Sequence, residues 1–259
     1  MTGDDHVLAR DLAGQAGQRL LELRAQGGDP DVLRKAGDRL SHEFLTAALA
    51  AARPGDVVLS EEGADNPARL GARRVWIVDP LDGTREFGEP GRTDWAVHVA
   101  LWEKGDVSGP GDLTAGAVAL PAQGMVLSTA EPPAPLPEDA ASGRIRIVVS
   151  RSRPPGFVRN ISGLINAELV PLGSAGAKVA AVVCGEVDAY VHGGGFYEWD
   201  TAAPVAVARA AGLHASRIDG SALAYNQPDL LMPDILVCRP AVAGTLLQAI
   251  REVTNASAS

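Results

Sequence analysis

Apolar side chains recur at helical spacing twice within the first fifty residues. Val7, Leu8, Leu12, Leu20, Leu21 and Leu23 predict a helix over 5–26, ended by Gly27-Gly28-Asp29-Pro30. Leu40, Phe44, Leu45, Ala48 and Leu49 predict a second over 37–53, stopped by Pro54-Gly55-Asp56. The period then shortens. Val57–Ser60 and Val75–Val78 are short β-rich runs, Thr93–Trp102 alternates, and strands are expected at 114–120 and 124–129. This half reads as two helices against a largely antiparallel sheet.

Glu131–Gly143 holds four prolines and almost no core residues, which marks a linker. Beyond it strands and helices alternate. Strands are expected at 144–150, 168–171, 188–191 and 235–238, and helices at 158–165, 178–184, 201–211 and 242–253. Such β–α units imply a mostly parallel or mixed sheet with helices on its faces. The expected architecture is an α+β lobe (1–135) with an antiparallel sheet, followed by an α/β lobe (136–259) with a mixed sheet.

Composition narrows the picture. A chain of 259 residues, 46% hydrophobic, can bury about 70–75% of its unfolded surface, so no disulfide or metal staple is required. The longest uncharged stretch, Leu113–Ala130, contains Gly116, Pro121, Gln123 and Gly124 and reads as two strands and a turn, not a membrane span. Asp4 and Asp5 stand where a signal peptide would be basic. A soluble, cytoplasmic protein is expected. Cys184 and Cys238 lie in apolar contexts without metal-site spacing and read as buried free thiols.

The net charge is −9, with no Lys/Arg run to follow a nucleic-acid backbone. Such an excess is either a solvated surface or acid gathered to bind cations. Where the carboxylates sit decides between these.

The most informative stretch is Trp76-Ile77-Val78-Asp79-Pro80-Leu81-Asp82-Gly83-Thr84. An apolar strand ends at Asp79, turns at Pro80 and presents Asp82 before Gly-Thr. Two acids three apart across a turn can aim both carboxylates and the Leu81 carbonyl at one point, as Mg2+ requires. A helix starting near Gly83 would offer N–H groups to a phosphate there. Equally, Asp-Pro and Asp-Gly are common turn pairs. Phosphatases that form an aspartyl-phosphate carry D-x-D-x-T; here the spacing is one residue longer, which rotates the second Asp away from that role.

Other acids have similar double readings. Glu61, in Ser60-Glu61-Glu62-Gly63, could bridge a metal and its water or simply sit in an exposed loop. Asp38 could be one more acid on an amphipathic helix. Asp200, in Glu198-Trp199-Asp200-Thr201, could be a helix N-cap or a ligand facing a cleft, with Pro204 tolerable only in the first turn. Gly173-Ser174-Ala175-Gly176-Ala177-Lys178 misses the P-loop pattern and reads as a strand-to-helix turn, Ser174 capping and Lys178 available to an anion. The five histidines share no spacing and read as structural or exposed.

Ser60–Gly63, Trp76–Thr84 with Glu86-Phe87, and Trp199–Ala203 together resemble the three signatures of the inositol monophosphatase superfamily, in order. Ser150-Arg151-Ser152, Glu198-Trp199-Asp200, and Tyr225-Asn226 before Asp229-Leu230-Leu231 resemble its CysQ-type 3′(2′),5′-bisphosphate nucleotidases. The resemblance implies a layered αβαβα fold with a metal-filled cleft between lobes. It implies two or three Mg2+ ions on Glu61, Asp79, the Leu81 carbonyl, Asp82 and Asp200. Gly83 and Thr84 would take the phosphate, Asp38 would orient the Thr84 hydroxyl toward the attacking water, and Glu61 would help activate that water.

Ser174, Lys178, Tyr197 and Glu198 are candidates to line a pocket for adenosine and its second phosphate. The implied reaction removes the 3′-phosphate of adenosine 3′,5′-bisphosphate without a covalent intermediate, as part of sulfate assimilation. Lithium sensitivity and a homodimer are expected on the same ground. Inositol-specific members carry a Glu where this chain has Gly193, and the usual Gly after Trp-Asp-x-Ala-Ala is Pro204. The alternatives are a broader phosphatase for inositol 1-phosphate or fructose 1,6-bisphosphate, and a nonenzymatic binder with a vestigial site.

Overall fold

The computed structural model describes residues 4–105, 110–135, 137, 143–152 and 154–258. Two long helices open the chain, α1 (Asp5–Ala25) and α2 (Pro30–Ala52). α2 starts seven residues before its apolar stripe. Asp29 accepts from the Asp31 and Val32 N–H groups and Pro30 takes the first helical position, so the Asp-Pro pair that ends one helix also starts the next.

The first sheet has the order β1 (Val57–Ser60), β2 (Arg74–Asp82), β3 (Ala96–Glu103), β4 (Asp112–Leu120), β5 (Met125–Ser128). β1 and β2 are parallel and the other pairs antiparallel. The five-residue helix α3 (Thr84–Gly88) follows β2.

The second half contains β6 (Arg146–Ser150), α4 (Gly156–Leu164), β7 (Glu168–Leu172), α5 (Ala175–Val183) and β8 (Ala189–His192). After them come β9 (Phe196–Tyr197), α6 (Glu198–Ala210), β10 (His214–Ser216), β11 (Leu231–Met232), β12 (Ile235–Cys238) and α7 (Pro240–Ala258). Its main sheet has the order β10-β12-β8-β6-β7, parallel at β6·β8 and β6·β7 and antiparallel elsewhere, so it is mixed. β9 and β11 form a separate pair. These two strands and β10 are too short to show a period, and nothing in the apolar pattern announces them. Of the expected linker, residues 136 and 138–142 lie outside the described residues.

Burial alternates along β2 between two cores. Trp76 and Val78 pack with Leu12, Leu20, Leu45 and Leu49 of α1 and α2. Val75 and Ile77 pack with Val179 and Val182 of α5 and Val205 and Val207 of α6. That second core also takes Val148, Tyr190 and Val237 from the second sheet, whose far face (Ile147, Val149, Val191, Leu236) is covered by Val158 and Ile161 of α4 and Leu246 and Ile250 of α7. The layers are therefore αβαβα. Gly116 lets α6 close on β4: a Cβ there would sit 2.7 Å from the Ala206 Cβ. Among the described residues no helix is long and apolar enough to cross a membrane. Cys238 is buried, but Cys184, expected to be buried, is exposed where the chain leaves α5.

Candidate active site

The two acids of the Asp-Pro-Leu-Asp run do not converge across a turn after the strand. β2 continues through Asp82 with a bulge: Asp79 pairs with His98 and Asp82 with Ala96, so three steps on β2 match two on β3. In a regular strand residues three apart face opposite ways; the extra residue reverses that parity and turns both carboxylates to one side. Pro80, which has no N–H to give a ladder, sits in this irregularity. The Leu81 N–H donates to Asp79 Oδ1 at 3.0 Å, and the Leu81 carbonyl accepts from Thr84 Oγ1 at 3.1 Å.

Asp200 comes from the other half. α6 begins at Glu198, so Asp200 lies in the third helical position and not at the N-cap, and its Oδ2 reaches back to accept from the Tyr197 N–H at 2.6 Å. That early start also places Pro204 inside the helix, where it cannot donate to the Asp200 carbonyl. Asp79, Asp82 and Asp200 each offer an oxygen, all within 4.8 Å of one another. Such a hard, all-oxygen set fits a divalent cation such as Mg2+.

The electrostatics are those of crowded carboxylates. Asp79 is pushed well above the ordinary range by burial and then by Glu61, Asp82 and Asp200. Glu61, at the exposed mouth, is raised to about 7 by desolvation from the protein around it and then by Asp200, against the opposing contact with Asp79. Asp200 rises to about 6, through burial and the charge of Asp82. Asp82 behaves oppositely. Burial would raise it, but His98, Lys178 and Ser174 hold it at about 2.

Asp82 is fastened to the start of α5: Ser174 Oγ donates to Oδ2 at 2.5 Å, the Gly176 N–H to Oδ2 at 2.6 Å and the Ala175 N–H to Oδ1 at 3.1 Å. His98 lies behind it, fully buried. Its Nδ1 donates to the Trp199 carbonyl at 3.1 Å, and its Nε2 stands 3.2 Å from Asp82 Oδ2, close enough for an ion pair but too oblique for a hydrogen bond. A histidine set in the apolar run Trp95–Trp102 is the signal that could have marked it. Asp38, on α2, is raised to about 7 by burial and by Glu62, with the Thr84 hydroxyl in hydrogen-bonding reach opposing the shift. Gly83 opens α3 in the left-handed region at φ +83°.

Four pocket candidates distribute unevenly. Tyr197 is 46% exposed and stacks on Trp199 with ring centroids 4.8 Å apart. Ser174 caps α5, accepting from the Ala177 N–H, while it holds Asp82. Lys178 was expected to face an anion; it is buried, and its Nζ donates to the Gly173 and Ser174 carbonyls, the acceptors nearest a lysine in that first turn. Glu198 was expected to line the pocket; it is fully buried and both its oxygens accept backbone N–H groups, from Asn226 and Gln227 at 2.7 Å each. Arg151 ties to Glu86 and Glu89 at 2.9 and 3.0 Å.

Comparison with known proteins places almost the whole chain in a family. The sequence profile of the inositol monophosphatase family matches residues 8–255. The chain is 52% identical over 258 residues to a 3′-phosphoadenosine 5′-phosphate phosphatase of Mycobacterium leprae, covering 96% of this chain and 94% of that one. It is 30% identical over 234 residues to the 3′(2′),5′-bisphosphate nucleotidase CysQ of Escherichia coli, covering 83% and 91%. The crystal structure of CysQ from Bacteroides thetaiotaomicron superposes with a TM-score of 0.76 at 28% identity, over 91% and 97% of the chains. The chain belongs to the inositol monophosphatase family and is a phosphoric monoester hydrolase.

Proposed function

We propose that this chain is a Mg2+-dependent phosphatase that converts adenosine 3′,5′-bisphosphate to AMP and inorganic phosphate, in the cytoplasm and in the service of sulfate assimilation. The observation that carries this reading is the 52% identity, along almost the whole chain, to a protein named for that substrate.

Glu61, Asp79, the Leu81 carbonyl, Asp82 and Asp200 would hold two or three Mg2+ ions. Ions bound there would supply charge neutralisation for the phosphoryl group, acidification of a water and stabilisation of the leaving alkoxide. Gly83 and Thr84 receive the phosphate on backbone N–H groups. Asp38 would orient the Thr84 hydroxyl toward the attacking water, and Glu61 would help activate that water. The attack is direct, and no side chain becomes phosphorylated. Tyr197, backed by Trp199, presents an aromatic face to the adenine. Ser174, Lys178 and Glu198 act from behind, by holding the elements that carry Asp82 and Asp200. Gly193 speaks against an inositol site, since a Cβ there would meet the Phe157 ring at 2.6 Å. The two lobes divide near residue 135, the enzyme is inhibited by Li+, and it works as a homodimer.

Phosphate release from adenosine 3′,5′-bisphosphate, inositol 1-phosphate and fructose 1,6-bisphosphate, each with Mg2+, tests the proposal. The adenosine compound should give the highest kcat/KM. A higher value for either sugar phosphate would overturn the substrate assignment.

A further inference from the structure

The loop that carries Glu61 leaves β1 with the Glu61 N–H donating to the Val78 carbonyl at 3.4 Å, and further along it is held by one buried side chain. From Glu61 to Gly71 every residue is exposed except Arg69, which retains 1% of its surface. Its guanidinium crosses to the other half of the chain. Nη1 donates to Asn226 Oδ1 at 2.9 Å and Nη2 to the Gln227 carbonyl at 2.8 Å, while Asn226 Nδ2 returns a bond to the Arg69 carbonyl at 3.1 Å. On the near side Asp65 grips the same guanidinium at 2.7 and 3.2 Å. Asn226 is itself in the left-handed region, at φ +58°. It is held there with Gln227 by the two oxygens of Glu198, two residues before Asp200.

We infer that Arg69, acting through Asn226 and Glu198, is a positioning residue that fixes the Glu61 loop against Asp200 and so sets the metal affinity of the cleft. The inference rests on the proposed reading of Glu61 as a ligand. The physical need is plain. Asp79, Asp82 and Asp200 already bring oxygens within 4.8 Å of one another, so a further carboxylate placed beside them meets like charge. Beyond its backbone bond to Val78, an exposed loop would let the Glu61 side chain swing outward. A buried, forked guanidinium bonded on both edges resists that motion in a way an apolar plug would not. The network also registers the loop to the first turn of α6, where Asp200 originates.

The test compares wild-type protein with Arg69→Met, Arg69→Lys and Asn226→Ala. Hydrogen exchange of the metal-free protein should rise at least tenfold across 61–71 in Arg69→Met, with the cores of α1 and β3 unchanged. Mg2+ binding by calorimetry should weaken by about 10–100-fold, the range for residues that orient metal ligands. At saturating Mg2+ the substrate KM should stay within twofold, separating loss of metal positioning from loss of substrate contact. Arg69→Lys, which keeps the charge but loses the fork, should fall between; with Asn226→Ala it decides the matter if Arg69→Met does not fold. Unchanged exchange in 61–71, or Mg2+ affinity within twofold of wild type despite faster exchange, overturns the inference. Wild-type protein that takes up no Mg2+ overturns the functional reading and the inference with it. Normal wild-type uptake with unaltered variants overturns the inference alone.

Discussion

Ser174 Oγ donates to Asp82 Oδ2 at 2.5 Å, across 92 residues of sequence. The same hydroxyl accepts from the Ala177 N–H and so caps α5. One side chain thereby fixes a carboxylate of the first sheet to a helix of the third layer. Ser174→Ala should lose both bonds. A missing cap costs about 1 kcal/mol, and Asp82, still held by two N–H groups, should need more Mg2+ for half-maximal rate. Thermal melting and a Mg2+ titration of the rate check this; an unchanged Mg2+ requirement would show the hydroxyl to be only a cap.

Asp82→Asn keeps the shape of the side chain and removes its charge. Electrostatic groups of this kind contribute about 100-fold or more to turnover, and hydrolysis should fall at least that far. Circular dichroism should be unaltered. A variant retaining a tenth of the wild-type rate would exclude Asp82 from the metal set.

Without metal, stability should depend on pH in the direction opposite to that of an ordinary carboxylate protein. Glu61, Asp200 and Asp38 have folded-state values of about 7, 6 and 7 against ordinary values of 4.5, 3.8 and 3.8. The folded state therefore holds protons more tightly than the unfolded chain. Stability from this source is complete below pH 4 and is lost as pH rises toward 7. Denaturant midpoints of metal-free protein should drop between pH 5 and pH 8. Added Mg2+ should recover more at pH 8 than at pH 5. A midpoint that rises over that interval in the metal-free protein would contradict the crowding described for the cleft.

Gly83→Ala should damage both folding and catalysis. At φ +83° a side chain is strained, and its Cβ would approach Ser174 Cβ to 3.0 Å and the Asp94 carbonyl to 3.2 Å. The penalty from backbone handedness alone is about 1–2 kcal/mol. The neighbouring Thr84 would shift with it. A lowered melting temperature with an even larger loss of kcat is expected; loss of stability with normal kcat would show that Thr84 tolerates the displacement.

How much of this was legible in the chain depends on length scale. α1, α2 and α7 are 21, 23 and 19 residues long, and the apolar spacing along each announces a helix even where it covers only part of its length. The parity reversal at Asp79–Asp82 does not: a strand interior and a turn after a strand both accommodate Asp-Pro-Leu-Asp, and only the pairing with His98 and Ala96 distinguishes them. Glu198 and Lys178 show a related difficulty. Polar residues beside a signature can face the cleft or support it from behind. For Glu198 this is settled by the Asn226 and Gln227 N–H groups far away in sequence, and for Lys178 by the Gly173 and Ser174 carbonyls that the turn into α5 leaves facing it. Arg69, one of twenty arginines in the chain, carries no local mark at all.

The crossing of Arg69 to Asn226 also orders events during synthesis. The two residues are 157 positions apart, roughly 10–30 s of elongation at typical ribosomal rates. Through that interval the nascent chain has already exposed Glu61, Asp79 and Asp82, but not the Asp200, Asn226 or Gln227 that complete and brace the cleft. On the proposed metal set, a partial chain that ends before Asp200 lacks a ligand and should be silent instead of indiscriminately active.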